Sequence, residues 1–306
     1  MSRHVITIFG PTASGKTALS IFLANKLNGV IINADSRQVY KNMPIITAMP
    51  SQAEFEAADH RLFNFLEVDE KISSDVYTNL AKAEIEKIWA EGKLPILCGG
   101  TGFYLKNLEQ GISPVPALAP ALFDLLNKRV ENEGAEALHA ELALVDPIMA
   151  QKLAPGDSQR VSRALGVFMQ TGQPMSTLQA LPKEGGLDAK FIKIALNPNR
   201  EWLYARIHKR YDVMESMGLL AEIKNLKNAG YNNDAHGIQS CGVKDLFNFV
   251  DGNCTHEEAK NALLQSTRNY AKRQLTWIKG QYNADMVFTN TAEGENAIAE
   301  IQCLLK

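Results

Sequence analysis

The chain has 306 residues, 45% of them apolar and 22% charged, with a formal net charge of −2. Glycine (21) and proline (12) stand near average usage, which excludes collagen-like, low-complexity and mainly disordered classes, and a core of this size needs no disulfide or metal staples. The length allows one large domain or two, and no window approaches the ~18 consecutive apolar residues of a membrane span.

Residues 5–9, Val-Ile-Thr-Ile-Phe, read as a buried parallel strand ended by Gly10-Pro11. That apolar run is too short for a secretory signal, so a cytoplasmic protein is expected. A helix follows at about 15–27, where Ala18, Leu19, Phe22, Leu23 and Leu27 recur at helical spacing. Val30-Ile31-Ile32 is a second strand, ending at Asn33-Ala34-Asp35. Ser51-x-x-Glu54 is a capping box for a short helix before His60, itself read as a structural histidine. Asp75 is expected to cap a helix with Val76, Leu80, Ile88 and Trp89 inward. Leu94–Cys98 is a third strand, stopped by Gly99-Gly100. Apolar strands alternating with helices predict an α/β domain with a parallel sheet.

The pattern changes after Gly111. Residues 113–120 hold three prolines, and 121–180 are helical in pattern. Over 157–170, Asp157 is placed to cap a helix with Val161, Ala164, Leu165, Phe168 and Met169 on one stripe and Gln159, Arg160, Ser162 and Arg163 opposite. After a break at Pro182–Gly186, Phe191–Leu196 returns to the sheet. A helical stretch runs from Asn199 to Asn228, Thr255-x-x-Glu258 caps another reaching about Lys279, and Met286-Val287-Phe288 is a last strand. The expected organisation is an α/β core, 1–111 and 187–306, interrupted by a helical insertion at 112–186.

Gly10-Pro11-Thr12-Ala13-Ser14-Gly15-Lys16-Thr17 fits G-x-x-x-x-G-K-[ST] between a predicted strand and a predicted helix. Its backbone N–H groups and the helix N-terminus would cradle a phosphate chain, Lys16 adding a point charge and Thr17 a Mg²⁺ ligand. The strand at 94–98 ends without the acid that a P-loop ATPase uses to hold its metal. Asp35, at the end of the second strand, is then the nearest carboxylate. It suits a general base, a Mg²⁺ shell member or a helix N-cap. Lys16, Asp35 and Thr101 would share the carboxyl edge of the sheet, where ligands bind. Gly99-Gly100-Thr101-Gly102 would let a ligand approach the backbone closely.

Charge is uneven. Residues 190–210 carry six Lys or Arg against Glu201, and 260–279 carry five and no acid. Arg268-x-x-x-Lys272-Arg273-Gln274-x-x-Trp277-x-Lys279 sets basic residues near an aromatic, which suits RNA backbone and splayed bases as well as it suits a solvated helix face. Cys98, Cys241, Cys254 and Cys303 are scattered, with no C-x-x-C pair, which argues against a zinc site.

Taken in order, the segments 10–17, Asp35-Ser36-Arg37-Gln38-Val39-Tyr40, Gly99–Tyr104, Asp157–Leu165, Ile207-x-x-Arg210, Cys241-Gly242 and Lys272-Arg273-Gln274-x-x-Trp277 resemble the bacterial tRNA dimethylallyltransferase (tRNA isopentenylpyrophosphate transferase) family over about residues 5–280. The resemblance implies a P-loop NTPase-like fold with a helical insertion that clasps the anticodon stem-loop. It implies transfer of a dimethylallyl group from dimethylallyl diphosphate to N6 of adenosine 37 in tRNAs reading codons that begin with U, with Mg²⁺ as cofactor and a monomer as the working unit. On that resemblance Asp35, Thr101 and Arg210 are catalytic, residues 10–17 bind diphosphate, and Thr17 holds the metal. The tRNA contacts implied are Asp35, Ser36, Arg37, Gln38 and Thr101; Gln159, Arg160, Val161, Ser162 and Arg163; Ser240, Cys241, Gly242, Val243, Lys244 and Asp245; and Lys272, Arg273, Gln274, Trp277 and Lys279. Two positions depart from the family pattern: Met49 stands where a lysine is usual, and Val243 where a tyrosine would offer an aromatic platform.

Other readings are a P-loop small-molecule or nucleotide kinase using ATP, a prenyltransferase acting on free adenylate, and a non-catalytic RNA-binding module. The missing strand-end acid and the basic-aromatic helix weigh against the kinase, the basic segments favour a polymeric acceptor, and an intact Lys16, Thr17 and Asp35 weigh against decay.

Overall fold

The computed structural model describes residues 3–240 and 242–306, which divide into two compact units. The first reaches Glu109 and resumes at Leu187; the second is Gln110–Gly186. The first unit opens with β1 (His4–Phe9), α1 (Lys16–Leu27), β2 (Gly29–Asn33), α2 (Gln52–Ala57), β3 (His60–Arg61), α3 (Ser74–Ala90), β4 (Leu94–Gly99) and α4 (Gly102–Gln110). The second holds α5 (Pro120–Glu133), α6 (Ala135–Val145), α7 (Pro147–Lys152), α8 (Ser158–Thr171) and α9 (Met175–Ala180). The chain returns through β5 (Lys190–Leu196), α10 (Arg200–Ser216), α11 (Leu219–Asn228), a 3₁₀ turn (Gly237–Gln239), α12 (Val243–Val250), α13 (His256–Gln281), β6 (Met286–Phe288), α14 (Thr291–Asn296) and α15 (Ile298–Leu304).

The strands form one parallel sheet in the order β3-β2-β4-β1-β5-β6. Every residue of β1 is buried, because helices cover both faces, as a parallel sheet requires. Val5 and Phe9 point to the face covered by α3 and α4, among Tyr77, Ala81, Ile85, Tyr104 and Leu105. Ile6 and Ile8 point to the face covered by α1 and α15, among Leu19, Leu23 and Ile301. The sheet thus has the P-loop NTPase-like α/β architecture, with the order of strands switching sides about β1. That switch opens a crevice at the carboxyl edge. A third core, built by α10–α13 with Val39, Met43 and Val68, backs the loops over that edge. The second unit has its own core of Leu126, Leu138, Leu142, Met149, Val161, Ala164 and Leu165.

Some local expectations are corrected. Helix α3 is capped by Ser73, which accepts the Val76 N–H, and Asp75 lies in its first turn. Val76 and Leu80 are exposed; the buried stripe is Tyr77, Ala81, Ile85 and Ile88. The reason is continuity: the Val76–Leu80 series runs on into Glu84 and Lys87, whereas the Tyr77 series stays apolar for about three turns. In α8, Asp157 caps as expected, but Val167 is buried and Met169 exposed, while Ser162 lies inside. The stretch from Asn199 to Asn228 is two helices, because Gly218 takes a left-handed backbone (φ 94) between them. Helices α4, α12, α14 and α15 were not anticipated.

Candidate active site

Beyond β1 the chain winds through left-handed turns at Ala13 (φ 64) and Gly15 (φ 99). Helix α1 then opens at Lys16 with no side chain capping its N-terminus and no acid in its first turn. A bare helix N-terminus behind such a loop attracts anions. Lys16 Nζ donates to Gly10 O (3.0 Å) and Pro11 O (2.9 Å), which holds the ammonium against the loop. Burial lowers its pKa; Cys98 and Asp35 work against that shift and Arg210 adds to it. Ser14 is buried, and among the described residues no partner reaches its hydroxyl.

Two distant side chains complete the loop. Thr12 N–H donates to Gln274 Oε1 from α13 at 2.8 Å, and Thr12 Oγ1 accepts Arg210 Nη1 from α10 at 2.8 Å. Burial, with Arg206 beside it, lowers the Arg210 guanidinium to about 10, against the pull of Asp35 and Glu54, so it stays cationic at neutral pH.

Asp35 follows β2. Asn33 is fully buried at the strand end; its Oδ1 accepts the Asp35 N–H (2.8 Å), its Nδ2 donates to Asp35 O and Leu62 O, and its carbonyl accepts the Tyr77 hydroxyl (2.8 Å). Asp35 Oδ1 accepts the Arg37 N–H at 2.9 Å. The aspartate therefore caps a turn, and no helix follows it until α2. Among the described residues, no hydrogen bond reaches Oδ2. Thr101 Oγ1 accepts the Ser36 N–H (2.9 Å) and donates to Ser36 Oγ (3.2 Å), clamping the 35–38 turn to the end of β4.

Two clefts meet here. The larger, an open space of about 1220 Å³, is lined by residues 12–18, Asp35, Cys98, Arg206, Arg210 and the apolar Val213 and Met217. The smaller, about 640 Å³, is lined by Arg37, Tyr211, Ser240, Thr267 and Tyr270 among others. Thr12, Asp35, Thr47, Ala48, Arg210 and Met214 border both. The structure thus brings Lys16, Thr17, Asp35 and Arg210 to one place. Thr101 stands one turn behind, touching Ser36.

The other implied tRNA contacts fall into distinct positions. Lys272, Arg273 and Lys279 are exposed on α13, as is Lys244 on α12, while Asp245 is half-buried, which raises its pKa. Gln38 spends its amide on Ala48 O (2.7 Å) and Thr47 O (3.3 Å). Gln274 is buried and divides its amide between Thr12 and Gly100, so it serves the loop rather than a surface. Val243 is core, and no aromatic platform stands there; Gly242 (φ 84) packs on Leu263. Ser240 is buried on the wall of the smaller cleft, and Cys241 lies outside the described residues. Within the second unit, Gln159 and Arg160 are exposed, Arg163 donates to Pro116 O (2.8 Å), and Val161 and Ser162 face inward, where their side chains offer no surface to a polynucleotide.

The glycines at 99–102 make room for neighbouring protein groups, and Gly99 also lines the larger cleft. A Cβ on Gly99 would lie 2.1 Å from the Ala34 backbone, one on Gly100 2.0 Å from Gln274 Nε2, and one on Gly102 2.2 Å from the Trp277 ring. Trp277 is half-buried and stacked on Tyr282, at 5.6 Å between ring centroids. Sequence reasoning missed Asn33, whose signal was a polar residue closing an otherwise apolar strand.

Comparison with known proteins places the chain in a family. The family model "IPP transferase" matches residues 38–281. The tRNA dimethylallyltransferase of Oleidesulfovibrio alaskensis is 39% identical over 279 residues, covering 91% of each chain. The full-length tRNA isopentenylpyrophosphate transferase of Bacillus halodurans superposes with a TM-score of 0.71 at 33% identity, covering 99% of this chain and 96% of that one. A eukaryotic dimethylallyltransferase solved acting on tRNA gives 0.81 at 30% identity, covering 99% and 78%. The chain belongs to the IPP transferase family, that of the tRNA dimethylallyltransferases.

Proposed function

We propose that the chain transfers a dimethylallyl group from dimethylallyl diphosphate to N6 of adenosine 37 in tRNAs reading codons that begin with U, giving N6-isopentenyladenosine and diphosphate. One observation carries the reading: the two clefts meet at Thr12, Asp35 and Arg210, so a carboxylate stands beside an anion-binding loop at their junction.

In this reading the diphosphate lies on the loop amides of 12–17, next to Lys16 and Arg210, and adenine enters the smaller cleft. The C1–O bond breaks and its electron pair leaves on diphosphate. The N6 lone pair forms the new C1–N bond, and the N6 proton passes to Asp35. Exocyclic N6 is a poor nucleophile because its lone pair is delocalised into the ring. Removing its proton as attack proceeds is the task of the base, worth on the order of 10²–10⁴ in rate. Lys16, Arg210 and the start of α1 meet the charge developing on the leaving group. Thr101 acts through Ser36 by holding the turn that carries Asp35.

Mg²⁺ keeps several waters and takes only one or two protein oxygens beside phosphate, so it needs no cage. Among the described residues no cluster of three His, Cys, Asp or Glu side chains could form one. Thr17 puts a hydroxyl, a hard oxygen donor, on the wall of the larger cleft beside the loop amides, and it would hold the ion together with phosphate oxygens and water, which leaves Asp35 free to take the proton. Bound there, it would supply positive charge to the diphosphate.

The exposed Lys272, Arg273 and Lys279 suit a polynucleotide acceptor, from whose stack the base must leave at a cost of about a few kcal/mol. Such an acceptor puts the reaction in the cytoplasm; no helix among the described residues is long and apolar enough to cross a membrane. All the groups invoked for the transfer come from one chain, so a monomer suffices.

The test is incubation with radiolabelled dimethylallyl diphosphate, Mg²⁺ and unmodified tRNA carrying adenosines at 36 and 37, then nuclease digestion and chromatography. Label in isopentenyladenosine from the anticodon loop establishes reaction and acceptor together. Label in free AMP but not in tRNA overturns the acceptor, and ATP-dependent phosphorylation without prenyl transfer overturns the reaction.

A further inference from the structure

Residues 42–50 carry no helix or strand, yet they form the wall shared by the two clefts. Thr47 and Ala48 border both, Ile46 only the smaller, and Met49 and Pro50 only the larger. The backbone is left-handed at Asn42 (φ 61) and at Ala48 (φ 50), conformations that residues with a Cβ adopt at a cost and keep only when their surroundings enforce them. Two side chains from outside the segment do so. Gln38 grips its carbonyls at Thr47 and Ala48. Glu222, from the first turn of α11, takes its amides: Oε2 accepts the Ile45 N–H at 2.8 Å and Oε1 the Ile46 N–H at 2.9 Å.

Glu222 is 9% exposed, on a helix whose Leu219, Ile223 and Leu226 belong to the α10–α13 core. It forms no ion pair among the described residues, and its two hydrogen bonds are those to the wall. A buried carboxylate without a counter-ion is costly. Leucine would suit the surrounding core better, so the carboxylate's contribution lies in the shape it imposes on residues 45 and 46. Each oxygen fixes one N–H, which sets both position and tilt of the segment that continues into Thr47 and Ala48.

We infer that Glu222 is a positioning residue for the transfer reaction: its carboxylate fixes the wall that keeps the donor cleft and the base cleft in register and excludes water between them. The inference rests on the proposed function. If the wall shifts, two things follow. The base and C1 lose alignment, and misplacement by about 1 Å costs on the order of 10²-fold. Water also reaches C1: the C1–O bond to diphosphate breaks, a C1–O bond to water forms, one water proton goes to solvent, and dimethylallyl alcohol leaves.

The test is Glu222→Gln, which keeps the volume and one acceptor oxygen but turns an NH₂ group toward the second N–H. Two quantities are measured: kcat for tRNA prenylation, and diphosphate released per prenyl group transferred. A fall in kcat of about 10–100-fold is expected, with the ratio rising above one and KM for tRNA unchanged. A merely structural role lowers the amount of folded enzyme but leaves the ratio at one. A folded Glu222→Gln enzyme with normal kcat and a ratio of one overturns the inference. Should that variant fail to fold, Glu222→Asp retracts the carboxylate by one methylene, so it cannot span both amides, and the same ratio decides. No transfer by the unsubstituted enzyme would overturn the proposed function, and this inference with it; a failure confined to the variants touches the inference alone.

Discussion

The side-chain oxygen of Gln274 accepts the main-chain N–H of Thr12 at 2.8 Å, so a residue of the long helix α13 is built into the glycine-rich loop at residues 10–17. The same amide donates to Gly100 O at 3.1 Å, which ties the loop to the end of β4. Thr12 also takes the Arg210 guanidinium on its hydroxyl. A short glycine-rich turn is thereby fixed by two helices far along the chain, and the neighbouring backbone amides are held in place before any anion arrives.

Gln274→Leu leaves the half-buried Thr12 N–H and Gly100 carbonyl without their partner, at up to about 1–3 kcal/mol for each group and less where water reaches it. Thermal unfolding is expected several degrees below that of the unsubstituted chain, since about 1 kcal/mol moves Tm by about 2–4 °C in domains of 150–250 residues. The loop amides also lose their alignment, so KM for dimethylallyl diphosphate is expected to rise more than kcat falls. A Leu variant with the original KM would mean that the loop keeps its shape without the clamp.

Asp35→Asn keeps an oxygen for the Arg37 N–H and so preserves the turn. What it removes is the ability to take a proton. Single-turnover prenylation is expected to slow by about 10²–10⁴-fold while tRNA affinity changes little. A normal single-turnover rate would take Asp35 out of the base role.

What the sequence disclosed and what it hid divide along one physical line. Features closed within a few residues were legible: the Ser51–Glu54 and Thr255–Glu258 capping boxes and the strand–loop–helix of residues 5–27. Asp35 was placed correctly at a strand end, but its function as a turn cap depends on Asn33 and Thr101. Features closed over long separations were hidden. Gln274 resembled a surface residue following two basic ones, because its partners are backbone groups of Thr12 and Gly100, which no pattern marks. The glycines at 99–102 resembled room for a ligand and are room for Ala34, Gln274 and Trp277. In α3, two overlapping i, i+4 series competed, and only the continuation past Glu84 and Ile85 separates them.

Gly102→Ala tests that packing. The added methyl would fall 2.2 Å from two carbons of the Trp277 ring, which is backed by Tyr282 and cannot retreat freely. Overpacking of this kind costs about 1–3 kcal/mol. A drop in Tm is expected together with a change in Trp fluorescence, with tRNA affinity less affected than stability. An unchanged Tm would show that the ring has somewhere to move.

Arg273 offers the cleanest separation of polynucleotide binding from structure. Its neighbours Ala271 and Gln274 face inward, which turns Lys272 and Arg273 to solvent. Arg273 forms no ion pair among the described residues and rests on the Tyr270 ring, 5.7 Å from its centroid. Arg273→Ala should therefore leave stability within about 0.5 kcal/mol, as is usual for a surface position. If the guanidinium meets a phosphate, tRNA binding weakens by a similar factor whatever the anticodon-loop sequence, and the slope of log affinity against log salt falls by about one. KM for dimethylallyl diphosphate should not move, because the residue does not line the larger cleft. The two readouts decide between causes. A reduced slope with unchanged donor KM identifies a phosphate contact, whereas weaker binding at unchanged slope would mean that the loss acts through the helix rather than through the charge.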